Sequence, residues 1–157
     1  MAVYETLEGF TWGCDPELFI VNSNGEPISA EGIIPGTKED PYPVAGGAVQ
    51  LDGVAAEFNI DPVDNFKDFS ANIDKVLSEM QKMIPAGHSL VARPSVVFSE
   101  KEWDKVSPQA KALGCTPDFN AWTGEVNPPP DGEAIPRMRT GSGHIHVGWR
   151  KTGDLDI

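Results

Sequence analysis

The sequence predicts an α+β fold, in which antiparallel β-hairpins pack with one long amphipathic helix. Glycine and proline contribute 16 and 14 of the 157 residues, which favours turns and short elements over a helical bundle. The pairs Asn24-Gly25 and Asp52-Gly53 separate strand-like runs and are typical of hairpin turns. Between residues 64 and 84, apolar side chains recur at three- and four-residue steps, as on one face of a helix.

The remaining elements follow from local patterns and from turn residues. Asp64 is the predicted N-cap of the long helix, and Pro85 with Gly87 ends it. Pro94 predicts an edge strand or a bulge, and Ser99 begins a capping box. We expect the helices to pack on one sheet face. In chain order the predictions are strands over 9–21 and 27–30, a hairpin over 44–59, the helix over 64–84, a strand over 90–99, short helices from Ser99 and Ser107, and a strand over 140–150.

Charge and composition exclude several classes of protein. The net charge of −12 argues against nonspecific nucleic-acid binding and against attraction to anionic membranes. No leader pattern and no apolar run of membrane-spanning length is present, so we expect no membrane association. Two cysteines, Cys14 and Cys115, are too few for a disulfide scaffold and favour a reduced cytoplasmic setting. The length predicts a single domain over 1–157.

The last predicted strand carries two histidines. Alternation places His144 and His146 on one face, about 6–7 Å apart, and directs Ile145 and Val147 toward a core. The glycines nearby would let another backbone or a phosphate approach closely. These histidines either serve as ligands or simply line a solvated sheet face.

Carboxylates recur on two earlier strands. Asp15 and Glu17 form another i, i+2 pair, and Glu57 interrupts an otherwise apolar strand. Because a buried unpaired carboxylate is costly, Glu57 must face solvent, pair with a base or bind a metal. If the three strands share one face, their donors suit Mg²⁺ or Mn²⁺ better than a structural zinc. Arg139 precedes the histidines, and its guanidinium suits a carboxylate or a phosphate.

Four segments in order resemble the signatures of phage-encoded carboxylate–amine ligases, which belong to the glutamine synthetase and glutamate–cysteine ligase superfamily. They are GCDPELF at 13–19, QLDGVAAEFN at 50–59, GCTPDFNAW at 114–122 and RTGSGHIHVGW at 139–149. The resemblance implies a curved, mainly antiparallel sheet of the glutamine synthetase catalytic-domain type, with ligands on its concave face and helices behind. Because the four segments run from residue 13 to residue 149, the resemblance covers nearly the whole chain.

The resemblance also implies an activity and a site. Family members use ATP and Mg²⁺ to phosphorylate a carboxylate, and an amine then attacks the acyl phosphate to form an amide. Small molecules or peptides would supply the carboxylate and the amine. Relatives more often carry two glutamates where this chain has Asp15 and Glu17. By position, the metal ligands are Asp15, Glu17, Glu57 and His144, and the nucleotide- or substrate-binding residues are His146, Arg139 and Asn59.

The sequence leaves a second function open. Family members usually continue beyond the fourth segment, whereas this sequence ends eight residues after Trp149. We therefore expect a C-terminally truncated ligase-like domain: a fragment, a chain completed by another, or a shortened relative. The alternative to an enzyme is a non-catalytic phage protein, in the host cytoplasm, that binds a partner protein or self-associates through its sheet edge. A metal-dependent hydrolase on the same ligands is the weaker third reading.

Overall fold

A computed structural model describes residues 9–112, 119–126 and 137–149 of the chain. Every strand pair within this part is antiparallel, and the helices are few, so the predicted α+β class is confirmed. No helix in it is long and apolar enough to cross a membrane. The elements are β1 (Phe10–Cys14), β2 (Glu17–Val21), β3 (Pro27–Ile28), β4 (Tyr42–Val44), β5 (Gly47–Asp52), β6 (Ala55–Ile60), α1 (Phe66–Met83), β7 (Ser89–Val91), β8 (Ser95–Val97), α2 (Glu100–Trp103), α3 (Pro108–Lys111), β9 (Met138–Thr140) and β10 (Ile145–Trp149).

The largest sheet has the strand order β3-β2-β6-β5-β4, and β7 also pairs with β2. Both predicted hairpins are present, with positive φ angles of 78° at Gly25 and 55° at Gly53. The second turn lies one residue later than predicted, because Asp52 pairs with Ala55 and Gly53-Val54 form the turn. This register places Gln50 directly opposite Glu57.

Three strands that were predicted as continuous are each divided in two. The first breaks at Asp15-Pro16, where proline has no N–H for a ladder hydrogen bond. Beyond the break the chain changes partners: β1 pairs with β10, whereas β2 pairs with β6. The 90–99 strand breaks before Ser95, next to Pro94, and the last strand becomes β9 and β10. Residues 141–144 thus run between two separate ribbons, β8–β9 and β1–β10.

One face of the main sheet packs against α1. The N-cap of α1 is Asn65, one residue after the predicted cap, and its side chain accepts a 2.9 Å hydrogen bond from the backbone N–H of Asp68. The α1 stripe includes buried Val76 and Met80. Alternation along the strands directs every second side chain toward this helix. The buried strand residues of this core are Cys14, Leu18, Ile20, Val49, Ala56, Phe58 and Ile60.

The prediction that the helices share one face is wrong. Phe19 and Ala55 alternate with the α1-facing residues, so they lie on the opposite face. They form a second core cluster with Val106 and Ala110, next to which Trp103 packs, so the short helices α2 and α3 cover this second patch. An apolar patch on each face requires a cover on each face.

The predicted inward direction of Ile145 and Val147 is also wrong. Ile145 is 69% exposed and Trp149 is 73% exposed, so the outer side of β10 is open to solvent. Alternation determines that these residues share a side. Whether another layer buries that side depends on the rest of the fold, and the described elements leave Ile145, Val147 and Trp149 exposed.

Candidate functional site

All seven residues predicted to form the site line a single cleft of about 590 Å³. Ligand sites typically occupy roughly 300–1,000 Å³. The strands β2, β5 and β6 provide one wall of the cleft, and the segment from Arg139 to His146 provides another. The seven residues are Asp15, Glu17, Glu57, Asn59, Arg139, His144 and His146.

Two acidic side chains face each other across neighbouring strands. Glu17 of β2 is paired in register with Glu57 of β6, and Gln50 of β5 lies on the other side of Glu57. Gln50 Nε2 donates a 2.8 Å hydrogen bond to Glu57 Oε2. Directly opposed like charges destabilise a sheet. Neither glutamate forms a salt bridge with another described residue.

The electrostatics of Glu57 reflect this crowding. Burial raises the pKa of the Glu57 carboxyl, and the charges of Asp52, Asp15 and Glu17 raise it further, although the hydrogen bond from Gln50 lowers it. A cation placed between the two glutamates would stabilise the ionised form of Glu57 and so lower its pKa.

A separate cluster joins Asp15 to both histidines. Asp15 Oδ1 accepts a 2.8 Å hydrogen bond from the backbone N–H of His144 and lies 3.1 Å from its Nδ1, while Oδ2 lies 3.0 Å from His146 Nε2. Burial by itself would raise the pKa of Asp15, but the hydrogen bonds from His146 and His144 outweigh it and hold the pKa below 3.8. The ring centroids are 6.1 Å apart, so the predicted shared face is confirmed.

Close approach of the backbone brings this cluster together. Glu17 N–H donates to Ser142 O at 2.8 Å, and Ser142 N–H donates to Glu17 Oε2 at 3.1 Å. A Cβ at Gly143 would lie 2.9 Å from Pro16 Cα, so only glycine allows the two segments to come this close. Of the two alternatives predicted for this glycine, another backbone therefore occupies the space.

Arg139 is fixed by contacts that its sequence pattern did not predict. Its guanidinium carbon lies 4.4 Å from the centroid of the Trp103 ring, which is a cation–π distance. Its terminal nitrogens donate to the backbone carbonyls of Met138, at 2.6 Å, and of Lys111. Burial lowers the pKa of Arg139. Arg139 thus lies in the cleft wall with a fixed orientation.

Sequence reasoning missed Gln50 and Trp103. The hairpin register is the signal that could have identified Gln50. The predicted turn at Asp52-Gly53 gives the wrong register, because it places Ala48 and not Gln50 opposite Glu57. No local pattern indicated Trp103, because its contact with Arg139 joins segments far apart in the chain. Cys14 is a buried free thiol. Cys115 and residues 114–118 of the third segment lie outside the described residues.

The donors of the cleft fit a hard cation in kind, although they are not arranged as one coordination set. Carboxylate oxygens, which Mg²⁺ prefers, dominate the four predicted ligands. Among residues 9–112, 119–126 and 137–149, no three acidic, histidine or cysteine side chains are grouped so as to hold one metal ion. Instead, Glu17 and Glu57 form one pair, and Asp15 contacts the histidines.

No protein-family model, curated protein or solved structure matches this chain.

Proposed function

We propose that this protein is an ATP- and Mg²⁺-dependent carboxylate–amine ligase of the phage type, which forms an amide bond through an acyl-phosphate intermediate. The observation that carries the proposal is the convergence of three separate segments on one cleft. Asp15 and Glu17, Glu57 and Asn59, and Arg139 to His146 come from distant parts of the chain and line the same space. A sheet with a purely structural role does not require carboxylate, imidazole and guanidinium groups to line the same cleft.

The opposed glutamates are the best place in the cleft for the metal. Glu17 and Glu57 would hold Mg²⁺, or Mn²⁺, because two carboxylates without a cationic partner among the described residues need a positive charge. Asp15 and His144 remain the other proposed ligands. When bound, the ion would neutralise phosphate charge on ATP. Lys38 and Arg139 also line the cleft and supply positive charge for a phosphate or a substrate carboxylate.

Addition of ATP with Mg²⁺ is expected to raise the melting temperature. A ligand present at 100 times its Kd stabilises the folded state by about 2.7 kcal/mol, since it binds only that state. For a domain of this size this corresponds to a rise of roughly 5–11 °C. Differential scanning fluorimetry measures the shift, and ATP with EDTA should give a much smaller one.

Two variants test whether the shift comes from this cleft. Glu57→Ala should remove the Mg²⁺-dependent part of the shift. The matched control Glu79→Ala should retain it, because Glu79 lies on α1 and pairs only with Lys82 among the salt bridges of the described residues. If wild-type protein shows no shift with any combination of nucleotide and metal, the ligase proposal is wrong.

One observation favours self-association as a second candidate function. Ile145, Val147 and Trp149 form an exposed apolar side of β10, which pairs with β1 alone among the described strands. A strand edge with unpaired backbone groups favours pairing with another chain, and an apolar side adds buried area. A second copy of this chain would pair with the edge of β10 and bury its apolar side.

Light scattering during size-exclusion chromatography tests this candidate. The mass of the wild-type protein should rise with concentration, whereas Val147→Lys should remain a monomer because it places a charge in the apolar contact. Val97→Lys is the matched control, since Val97 is also an exposed strand valine. A wild-type protein that stays monomeric at every concentration contradicts self-association.

A further inference from the structure

The cluster of Asp15, His144 and His146 has a geometry that specifies where protons lie. Each carboxylate oxygen of Asp15 contacts a different imidazole: Oδ1 faces Nδ1 of His144, and Oδ2 faces Nε2 of His146. The two imidazoles therefore present different ring nitrogens to the same carboxylate. The backbone N–H of His144 also donates to Oδ1 and holds the carboxylate in this orientation.

The donor and acceptor capacities of these groups determine the tautomers. An ionised carboxylate accepts hydrogen bonds and donates none, whereas a neutral imidazole has one N–H and one lone pair. Each ring nitrogen that faces Asp15 must therefore carry the hydrogen. This requires the Nδ1–H tautomer for His144 and the Nε2–H tautomer for His146.

We propose that Asp15 is a positioning residue that holds His144 and His146 in opposite tautomers, leaving the lone pairs on His144 Nε2 and His146 Nδ1. The imidazole side chains are 71% and 62% exposed, and both line the cleft. Asp15 is hydrogen-bonded to one ring nitrogen of each histidine, Nδ1 of His144 and Nε2 of His146. The lone pairs are thus on the nitrogens that remain for a ligand in the cleft.

This arrangement gives the cleft a proton acceptor, a role that rests on the proposed ligase function. In amide formation the amine nitrogen bonds to the acyl carbon, and the bond from that carbon to the phosphate oxygen breaks. Phosphate leaves with the bonding electrons, and the nitrogen gives up a proton. An imidazole lone pair held in a fixed direction within the cleft is placed to accept this proton.

Nitrogen-15 NMR of histidine-labelled protein tests the tautomers directly. Protonated and unprotonated ring nitrogens have well-separated shifts, and at about pH 8.5 an ordinary imidazole, with its pKa of about 6.5, is neutral. The sample contains metal-free protein and no nucleotide. We expect His144 protonated at Nδ1 and His146 at Nε2. His88→Gln identifies the third histidine, whose Nδ1 lies 3.2 Å from Ala86 O.

Asp15→Asn gives a sharper test, because an amide has one accepting atom and one donating atom. The backbone N–H of His144 keeps the amide oxygen on its own side, so the NH₂ group faces His146 Nε2. His146 must then accept there and change to the Nδ1–H tautomer, while His144 keeps its own. Asp52→Asn is the matched control, since Asp52 lines the same cleft and should change neither histidine.

Two results would overturn the proposal: the same tautomer in both wild-type histidines, or an Asp15→Asn spectrum in which His146 is unchanged. If Asp15→Asn does not fold, the wild-type spectrum decides by itself. The measurement uses neither ATP nor Mg²⁺. Tautomers other than the two proposed would therefore refute the role of Asp15 and leave the ligase proposal intact. A missing response to nucleotide and metal would refute the ligase proposal and leave the tautomer assignment intact.

Discussion

Replacing Glu57 by glutamine is expected to stabilise the ligand-free protein at neutral pH and to abolish its response to Mg²⁺. The substitution removes a partly buried charge that lies opposite Glu17, and glutamine still offers an oxygen to Gln50. We expect a gain of up to about 1 kcal/mol, from the scale of cross-strand charge effects. Activity in an amide-forming assay should fall by more than about 100-fold, because even residues that only support a metal ligand contribute roughly 10–100-fold.

The gain in stability should depend on pH in a defined direction. The pKa of Glu57 is raised above 4.5 in the folded protein, so the folded state binds this proton more tightly than the unfolded chain. The ionised carboxyl therefore costs stability above its folded pKa, and the cost disappears as the pH falls toward 4.5. Urea unfolding at several pH values should show the advantage of Glu57→Gln shrinking over that interval.

Glu79→Gln serves as the control for Glu57→Gln. Glu79 lies on the surface of α1 and forms an i, i+3 salt bridge with Lys82. Such exposed pairs contribute about 0.3–0.5 kcal/mol, so this variant should lose slightly rather than gain. If Glu57→Gln is no more stable than wild type at neutral pH, the electrostatic account of the opposed glutamates is wrong. If it keeps the full Mg²⁺ response, the proposed metal position is wrong.

Replacing the next residue, Phe58, by alanine is expected to destabilise the protein by about 3–5 kcal/mol. Phe58 is 2% exposed and lies in the core between the main sheet and α1. Deleting its ring removes apolar contacts and leaves a cavity that the surrounding sheet and helix fill only in part. Thermal unfolding followed by circular dichroism should show a fall of roughly 6–20 °C in the melting temperature.

Phe119→Ala makes the same change in a different environment. Phe119 is 69% exposed, and surface substitutions of this kind usually change stability by less than about 0.5 kcal/mol. A loss from Phe58→Ala that is no greater than that from Phe119→Ala would contradict the placement of β6 in the core. Together with Glu57→Gln, the pair shows that neighbouring residues of one strand have opposite effects.

The parts of the fold that local chemistry determines were predictable. Glycine at positive φ marked both hairpins, and the three- and four-residue apolar spacing marked α1. Ser99 is confirmed as the N-cap of α2, since its hydroxyl accepts from the backbone N–H of Glu102 at 3.3 Å, although the Glu102 carboxylate accepts from the backbone N–H of Ser29 and from Lys105. In each case the physical cause lies within one continuous segment, so the existence of the element was predictable, although the second turn and the cap of α1 each lie one residue later than predicted.

Strand partners were less predictable than the strands. The 9–21 pattern does not show that β1 pairs with β10 while β2 pairs with β6, because that choice depends on residues far along the chain. The same limit explains the wrong directions for Ile145 and Val147. Period two identifies which side chains share a face, and only the neighbouring layers determine whether that face is buried.

The candidate site shows the same division. The sequence by itself determined which groups exist: carboxylates at 15, 17 and 57, imidazoles at 144 and 146, and a shared face for the two histidines. Only the tertiary structure decided that Asp15 contacts the histidines while Glu17 opposes Glu57. Residue type and strand period are local properties. The pairing of charges across the cleft instead depends on the antiparallel registers that align segments far apart in the chain, Glu17 with Glu57 and Asp15 with the two histidines.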